Sequence, residues 1–179
     1  MASGERPIDH FTRLGLPRRF SLDAAELERQ YLARSRAIHP DYHVGGAAGD
    51  LAASLELSAA LNEAYTTLRD PFRRAEYWLA LEGGPSAADQ KQMPPAFLAE
   101  MLEARERIEE AKSANNACGS RVAELHAEFQ ARYDALLAKV GDRFAKLEAS
   151  ADRHEELAGI RSLLNAAKYV QGLIRDLNE

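Results

Sequence analysis

The residues with the most chemical potential fall in one short stretch, His39-Pro40-Asp41, with His43 two positions further on. Two imidazoles four residues apart could share one face of a helix and hold a metal, but Pro40 lacks an amide hydrogen and disfavours helix at His39. No third ligand follows at a useful spacing, so no metal site is expected. Pro40 instead fixes the direction in which the chain leaves a helix, and Asp41 can then project a carboxylate suited to bidentate contact with a guanidinium on another molecule. The everyday use of such residues is a helix stop and turn. A second cluster, Glu103, Glu106 and Glu110, shares a helical face edged by Leu98 and Leu102. As a general acid and base these carboxylates would need a pocket and a differently tuned partner group, and the sequence offers neither. Arg107 or Lys112 is expected to pair with some of them. Cys118 is the single cysteine, which excludes an internal disulfide and a thiolate zinc site and points to a reducing compartment. With no His or second Cys nearby it reads as a small packing residue. His10, His126 and His154 are isolated and read as surface or packing residues.

The elements that must position these residues are helical, because apolar positions recur at three and four almost everywhere and nowhere alternate with the period of a half-buried strand. Asp23 with Glu26 has the form of a capping box, and Leu27, Tyr31, Ser35 and Ile38 line one face of a helix over 23–38 that Pro40 stops. A Gly-rich loop over 44–49 leads to a longer helix through Leu51, Leu55, Ser58, Leu61, Tyr65 and Leu68, facing the first. Asp70-Pro71 supplies an N-cap and a proline at the first helical position, and a helix carrying Phe72, Ala75 and Leu79 runs to Gly83. The breaker-rich stretch from Gly83 to Pro95 divides the chain into 1–83, a linker over 84–93 and 94–179. Beyond it, stripes through Phe97–Ile108, Val122–Leu147 and Leu157–Leu177, with a break at Asn115-Asn116, predict an antiparallel three-helix bundle. The expected fold class is all-α.

Composition narrows the function. With 179 residues, 46% hydrophobic and 28% charged, the chain has room for one ordinary domain or two small ones. Its net charge of -5 argues against nucleic acid as a partner, since phosphate neutralisation needs a basic surface. Apolar runs are far short of the roughly 20 residues that span a bilayer, and Glu5 and Asp9 stand in the opening segment, so neither a membrane association nor a targeting peptide is expected. A cytoplasmic protein without a cofactor is the simplest reading.

One context sharpens the tripeptide. Arg29, Arg34 and Arg36 lie on a stretch free of acids from Arg29 to Ile38, directly before His39-Pro40-Asp41 and the second helix. This arrangement resembles a J-domain, the module by which co-chaperones activate DnaK-class ATPase chaperones. The opening Asp9-His10-Phe11-Thr12-Arg13-Leu14-Gly15-Leu16-Pro17 and the segment Leu61-Asn62-Glu63-Ala64-Tyr65, continuing through Asp70-Pro71 to Arg74-Ala75-Glu76-Tyr77-Trp78-Leu79, are similar to the HscB-type subfamily of iron-sulfur cluster assembly. Phe97 to Glu106 is similar to that subfamily's client-binding segment.

The resemblance implies a J-domain, an antiparallel helical hairpin with flanking helices, joined to a client-binding three-helix domain. It implies contact with an HscA/DnaK-class chaperone through His39, Pro40, Asp41, Arg29, Arg34 and Arg36. It further implies an iron-sulfur cluster scaffold protein of the IscU type held by Leu98, Ala99, Leu102, Glu103, Glu106, Glu110 and Tyr169, in a protein with no active site of its own. Three departures are visible. Tyr42 stands where J-domains often carry lysine, Ala99 where the subfamily tends to have a larger apolar residue, and the N-terminal cysteine pairs of some eukaryotic relatives are absent, which favours a bacterial-type protein. Two other readings remain: a J-protein with a different client, and a small helical metal-dependent hydrolase, which would need three convergent ligands that the sequence does not supply.

Overall fold

The computed structural model describes residues 8–38, 48–113, 118–147 and 149–179. These form α1 (His10–Leu14), α2 (Ala24–Ile38), α3 (Ala48–Arg69), α4 (Pro71–Leu81), α5 (Pro95–Ser113), α6 (Cys118–Lys146) and α7 (Arg153–Asn178), with no strand among the described residues. The fold is all-α. The chain divides into two compact units, Met1–Tyr77 and Trp78–Glu179, and α4 contributes to both.

In the first unit, α1 is a helix that apolar periodicity could not reveal, because five residues are too few to show a repeat. Its ends define it. The Asp9 side chain accepts from the Thr12 backbone N–H at 3.0 Å and from the Thr12 hydroxyl at 2.9 Å, and Gly15 closes the other end at φ +66°. A side chain at Gly15 would be strained by that backbone and would also collide with the Arg34 guanidinium. Phe11 and Leu14, between the two caps, are completely buried.

Helices α2 and α3 form an antiparallel hairpin. The Tyr31 hydroxyl donates to Asn62 Oδ1 at 2.8 Å, its ring stacks on Tyr65 at 4.2 Å, and at the other end the Ser54 hydroxyl donates to the Ile38 carbonyl at 2.5 Å. Three details differ from the sequence expectation. Asp23 accepts from the Ala25 N–H at 2.9 Å, but Glu26 does not reach back to complete a capping box, because Arg29 and Gln30 occupy its carboxylate. Leu55 is 58% exposed; the face of α3 that turns inward carries Ser54, Leu61, Ala64 and Leu68. Ala48 and Gly49, expected in a loop, belong to α3, while 44–47 lie outside the described residues.

Asp70 caps α4 as expected, accepting from the Arg73 N–H at 2.9 Å. One turn in, Arg74 is buried; its guanidinium donates to the Leu68 carbonyl at 2.5 Å and lies over the Phe20 ring at 5.2 Å. Burial pushes its pKa down, with Asp70 opposing. At its far end α4 stops in a left-handed residue, Gly83 at φ +75°, and the Gly84 N–H returns to the Leu79 carbonyl at 2.9 Å.

The second unit contains the three-helix bundle. Arg107 on α5 faces Glu128 on α6 and Glu100 faces Arg132, so α5 and α6 are antiparallel. Arg143 reaches Glu156, so α6 and α7 are antiparallel as well, and α5 runs alongside α7 in the same direction, with Phe97 against Tyr169 and Lys112 near Asp176. Met101, Ile108, Leu125, Phe129, Val170, Leu173 and Leu177 make the core at one end. Towards the other end Val140, Phe144, Ile160 and Leu164 are buried, and Trp78 stacks on Phe144 at 4.3 Å.

The partners of Asp9 predict a pH-dependent contribution to the first unit's stability. Burial would raise its carboxyl pKa, but the Arg18 hydrogen bond at 2.6 Å and the two Thr12 donors outweigh burial and hold it down to about 2. A carboxyl depressed in the folded state stabilises above its ordinary pKa, and that stabilisation is lost as pH falls from about 4 through about 2. Arg18 is half exposed, so screening limits the contribution to at most about 2 kcal/mol. Urea unfolding should find Asp9→Asn less stable than wild type by up to about this amount at neutral pH, with the gap closing by about pH 2.

Candidate partner-binding surfaces

The first surface lies on α2. Arg29, Leu32, Ala33 and Arg36 are all exposed, and Leu32 retains 43% of its accessible area. Arg29 is paired locally with Glu26, whose carboxyl the Gln30 and Arg29 hydrogen bonds hold below its usual range. Arg34 is separate from this face. It is half-buried, and its guanidinium occupies the space that Gly15 leaves open at the end of α1. Helix α2 is described as far as Ile38; His39, Pro40 and Asp41, with Tyr42 and His43, lie outside the described residues.

The second surface lies on the bundle. Leu98, Ala99, Leu102, Glu103, Glu106 and Glu110 are all exposed, and at about 100° per residue they occupy an arc of about 140° on α5. Leu98 at 43% and Leu102 at 62% exposure stand at one edge of that arc. There they meet Met101, Arg105 and, from α7, Tyr169 and Leu173 in a groove of about 140 Å³. Tyr169, 43% exposed, is held edge-on by Phe97 at 5.8 Å. Phe97 is itself overlain by Arg132 at 5.7 Å. Ala99 and the three glutamates do not line the groove; they flank it on the outer side of α5.

The glutamates are not occupied as the sequence suggested. Arg107 makes two hydrogen bonds to Glu128 on α6, at 2.8 and 2.6 Å, raising its own pKa and lowering that of Glu128. Lys112 donates to the Asp176 backbone carbonyl on α7. Both cations point across the bundle because their partners approach from neighbouring helices, information absent from the local spacing on α5. The groove also contains residues that the site reading omitted, Met101, Arg105 and Leu173. Leu173 lies one turn beyond Tyr169, a spacing that could have suggested it.

His10 is a packing residue. Its ring stacks on Tyr77 at 4.1 Å and its backbone N–H donates to the Tyr77 hydroxyl at 2.9 Å, while burial lowers its pKa against the opposing charge of Glu63. Among the described residues no three His, Cys, Asp or Glu side chains converge as metal ligands, and no helix is long and apolar enough to cross a membrane.

Comparison with known proteins shows what the chain as a whole is similar to. Residues 93–178 match the family described as the HSCB C-terminal oligomerisation domain. The co-chaperone protein HscB of Proteus mirabilis is 31% identical over 173 residues, covering 94% of this chain and 99% of that protein. The HscB homolog of Burkholderia mallei is 40% identical over 147 residues, 80% of each chain. The solved structure of chaperone HscB from Vibrio cholerae superposes with a TM-score of 0.80 at 26% identity, covering 95% of both chains. The chain belongs to the HscB co-chaperone family, and its J-domain and three-helix bundle agree with the fold of that family's structures.

Exposure of the groove leucines has a direct consequence for stability. The double substitution Leu98→Ala with Leu102→Ala should shift unfolding by no more than about 0.5 kcal/mol per site, as for surface positions. Met101→Ala, a few residues away but 4% exposed, should cost about 2–5 kcal/mol. Denaturant unfolding of the two variants side by side checks the difference.

Proposed function

We propose that this protein holds an iron-sulfur cluster scaffold of the IscU type on its C-terminal bundle and delivers it to an HscA/DnaK-class chaperone in the cytoplasm. In this reading residues 1–83 engage the chaperone, 84–93 connect, and 94–179 carry the client. The observation that carries the client half is the groove in which Leu98 and Leu102 of α5 meet Tyr169 of α7 at an exposed surface. Apolar side chains left exposed around a ring are suited to serve as central anchors of an interface, while Glu103, Glu106 and Glu110 supply its charged flank.

The chaperone half rests on sequence order and on the α2 face. Arg29 and Arg36 offer exposed positive charge that suits an acidic surface and steers association. In this reading Asp41, which follows Pro40 in the sequence, engages an arginine of the chaperone and so perturbs its ATPase without contacting nucleotide. His39 and Pro40 belong to the same contact. Arg34, implied by the resemblance as a further contact, supports the surface indirectly by packing α2 against the end of α1.

Two measurements test the reading. Asp41→Asn keeps size and removes charge, and loss of a charge-assisted contact worth about 1.5–3 kcal/mol should collapse stimulation of the chaperone ATPase while helicity and melting remain those of wild type. Wild-type stimulation by this variant would overturn the assignment of the trigger. For the client, titration calorimetry with the scaffold should show Leu98→Ala with Leu102→Ala losing at least about 2 kcal/mol of binding. If the scaffold does not bind the wild type, while another protein is captured through the same leucines, the client differs.

A further inference from the structure

Beside the apolar groove, and sharing Arg105 and Tyr169 with it, lies a second and larger cavity of about 420 Å³. Its lining is basic. Lys91, Arg105, Lys168 and Arg175 surround it, together with Asn165 and the Tyr169 ring, in a chain whose net charge is -5. Among the described residues Lys91 and Lys168 make no ion pair. Arg105 and Arg175 are only loosely neutralised: Arg105 lies 4.0 Å from Asp176, and Arg175 lies 3.8 Å from Asp176 and 3.8 Å from Glu179. Four like charges around one depression repel one another, so the cavity favours an anionic occupant.

The cavity is shaped by local structure. The segment before α5 is fastened to α7 by Gln90, whose side-chain amide donates to Ser162 Oγ at 2.8 Å and to the Ala158 carbonyl at 3.2 Å. The Asn165 side chain donates back to the Gln90 carbonyl at 2.7 Å. Those bonds hold Lys91 beside α7. On α7, Lys168, Gly172 and Arg175 follow at steps of four and three and so share one face. A Cβ at Gly172 would meet nothing within 4 Å, so the missing side chain leaves space between the two cations.

We propose that this cavity receives a carboxylate-bearing segment of the same scaffold protein whose apolar residues occupy the adjoining groove. The inference rests on the client reading given above and assigns a polarity to it. Across α5 and α7 the surface passes from Glu103, Glu106 and Glu110, through Leu98, Leu102 and Tyr169, to Lys91, Lys168 and Arg175. A partner that fits it presents basic, apolar and acidic groups in the matching order and is accepted in one orientation only. The cations are exposed rather than sequestered, which suits a carboxylate on a docked protein surface better than a small anion that must be enclosed.

The test uses the full chain and an IscU-type scaffold in calorimetric titrations at low and moderate salt. Lys168→Glu with Arg175→Glu should weaken binding at least tenfold at low salt and flatten its salt dependence. Gly172→Glu should do the same while retaining all four cations, because it places the protein's own carboxylate in the cavity; glutamate is also the better helix former, so melting should not fall. One Asp→Lys or Glu→Lys exchange in the scaffold should restore binding to the reversed variant. If Leu98→Ala with Leu102→Ala abolishes binding but both cavity variants bind within twofold of wild type, the groove reading stands and the proposal fails. If inorganic tripolyphosphate binds wild type but not the reversed variant, and the scaffold binds both equally, the cavity is a small-anion site and the proposal fails. Absence of scaffold binding to wild type would overturn both readings together.

Discussion

The exposed groove on the bundle depends on the rotation of α7 about its own axis. Leu157, Ile160, Leu164, Ala167, Val170, Leu173 and Leu177 are buried along the helix, and no other rotation would hide them all. The apolar area removed from water at these positions outweighs any preference of the intervening polar residues. With that stripe inward, Lys168, Tyr169 and Arg175 are driven outward, and Val170 is completely buried beside a Tyr169 that is not. The groove and the basic cavity are therefore consequences of core packing, displayed on the side of the helix that the core does not use.

The first unit achieves rigidity with different means. Helices α1 and α2 are short, and only Leu27 of α2 is buried, so directional interactions at the ends and corners carry more of the specification. Asp9 and Gly15 delimit α1, the Tyr31 and Tyr65 rings clamp the hairpin, and Arg74 fastens the corner between α3 and α4. Arg34 belongs with these, since its guanidinium fills the space that a side chain at Gly15 would take. The outer face of α2 is left to Arg29, Leu32, Ala33 and Arg36 because the inner face is committed to packing.

Much of the architecture was legible in sequence. The three- and four-residue spacing located six of the seven helices among the described residues, and Asp70-Pro71 marked the start of α4. Helix α1 escaped because its evidence lies in a cap at each end rather than in a repeat. Leu55 misled because a leucine at helical spacing is not necessarily a core leucine; Ser54, satisfied by the Ile38 carbonyl, took the inward position.

What the sequence determined by itself was local: which of the longer segments are helical, and that the leucines and glutamates of α5 share an arc. Helical periodicity follows from the 3.6-residue turn of one chain and needs no partner. Only tertiary structure decided that Leu173 and Tyr169 close the groove over Leu98 and Leu102, that Arg107 turns to Glu128 and away from the α5 acids, and that Lys91 joins Lys168 and Arg175 around one cavity. These are meetings between residues up to 84 positions apart, set by how the apolar faces of three helices interlock, and that fit is a property of the packed side chains together rather than of any segment alone.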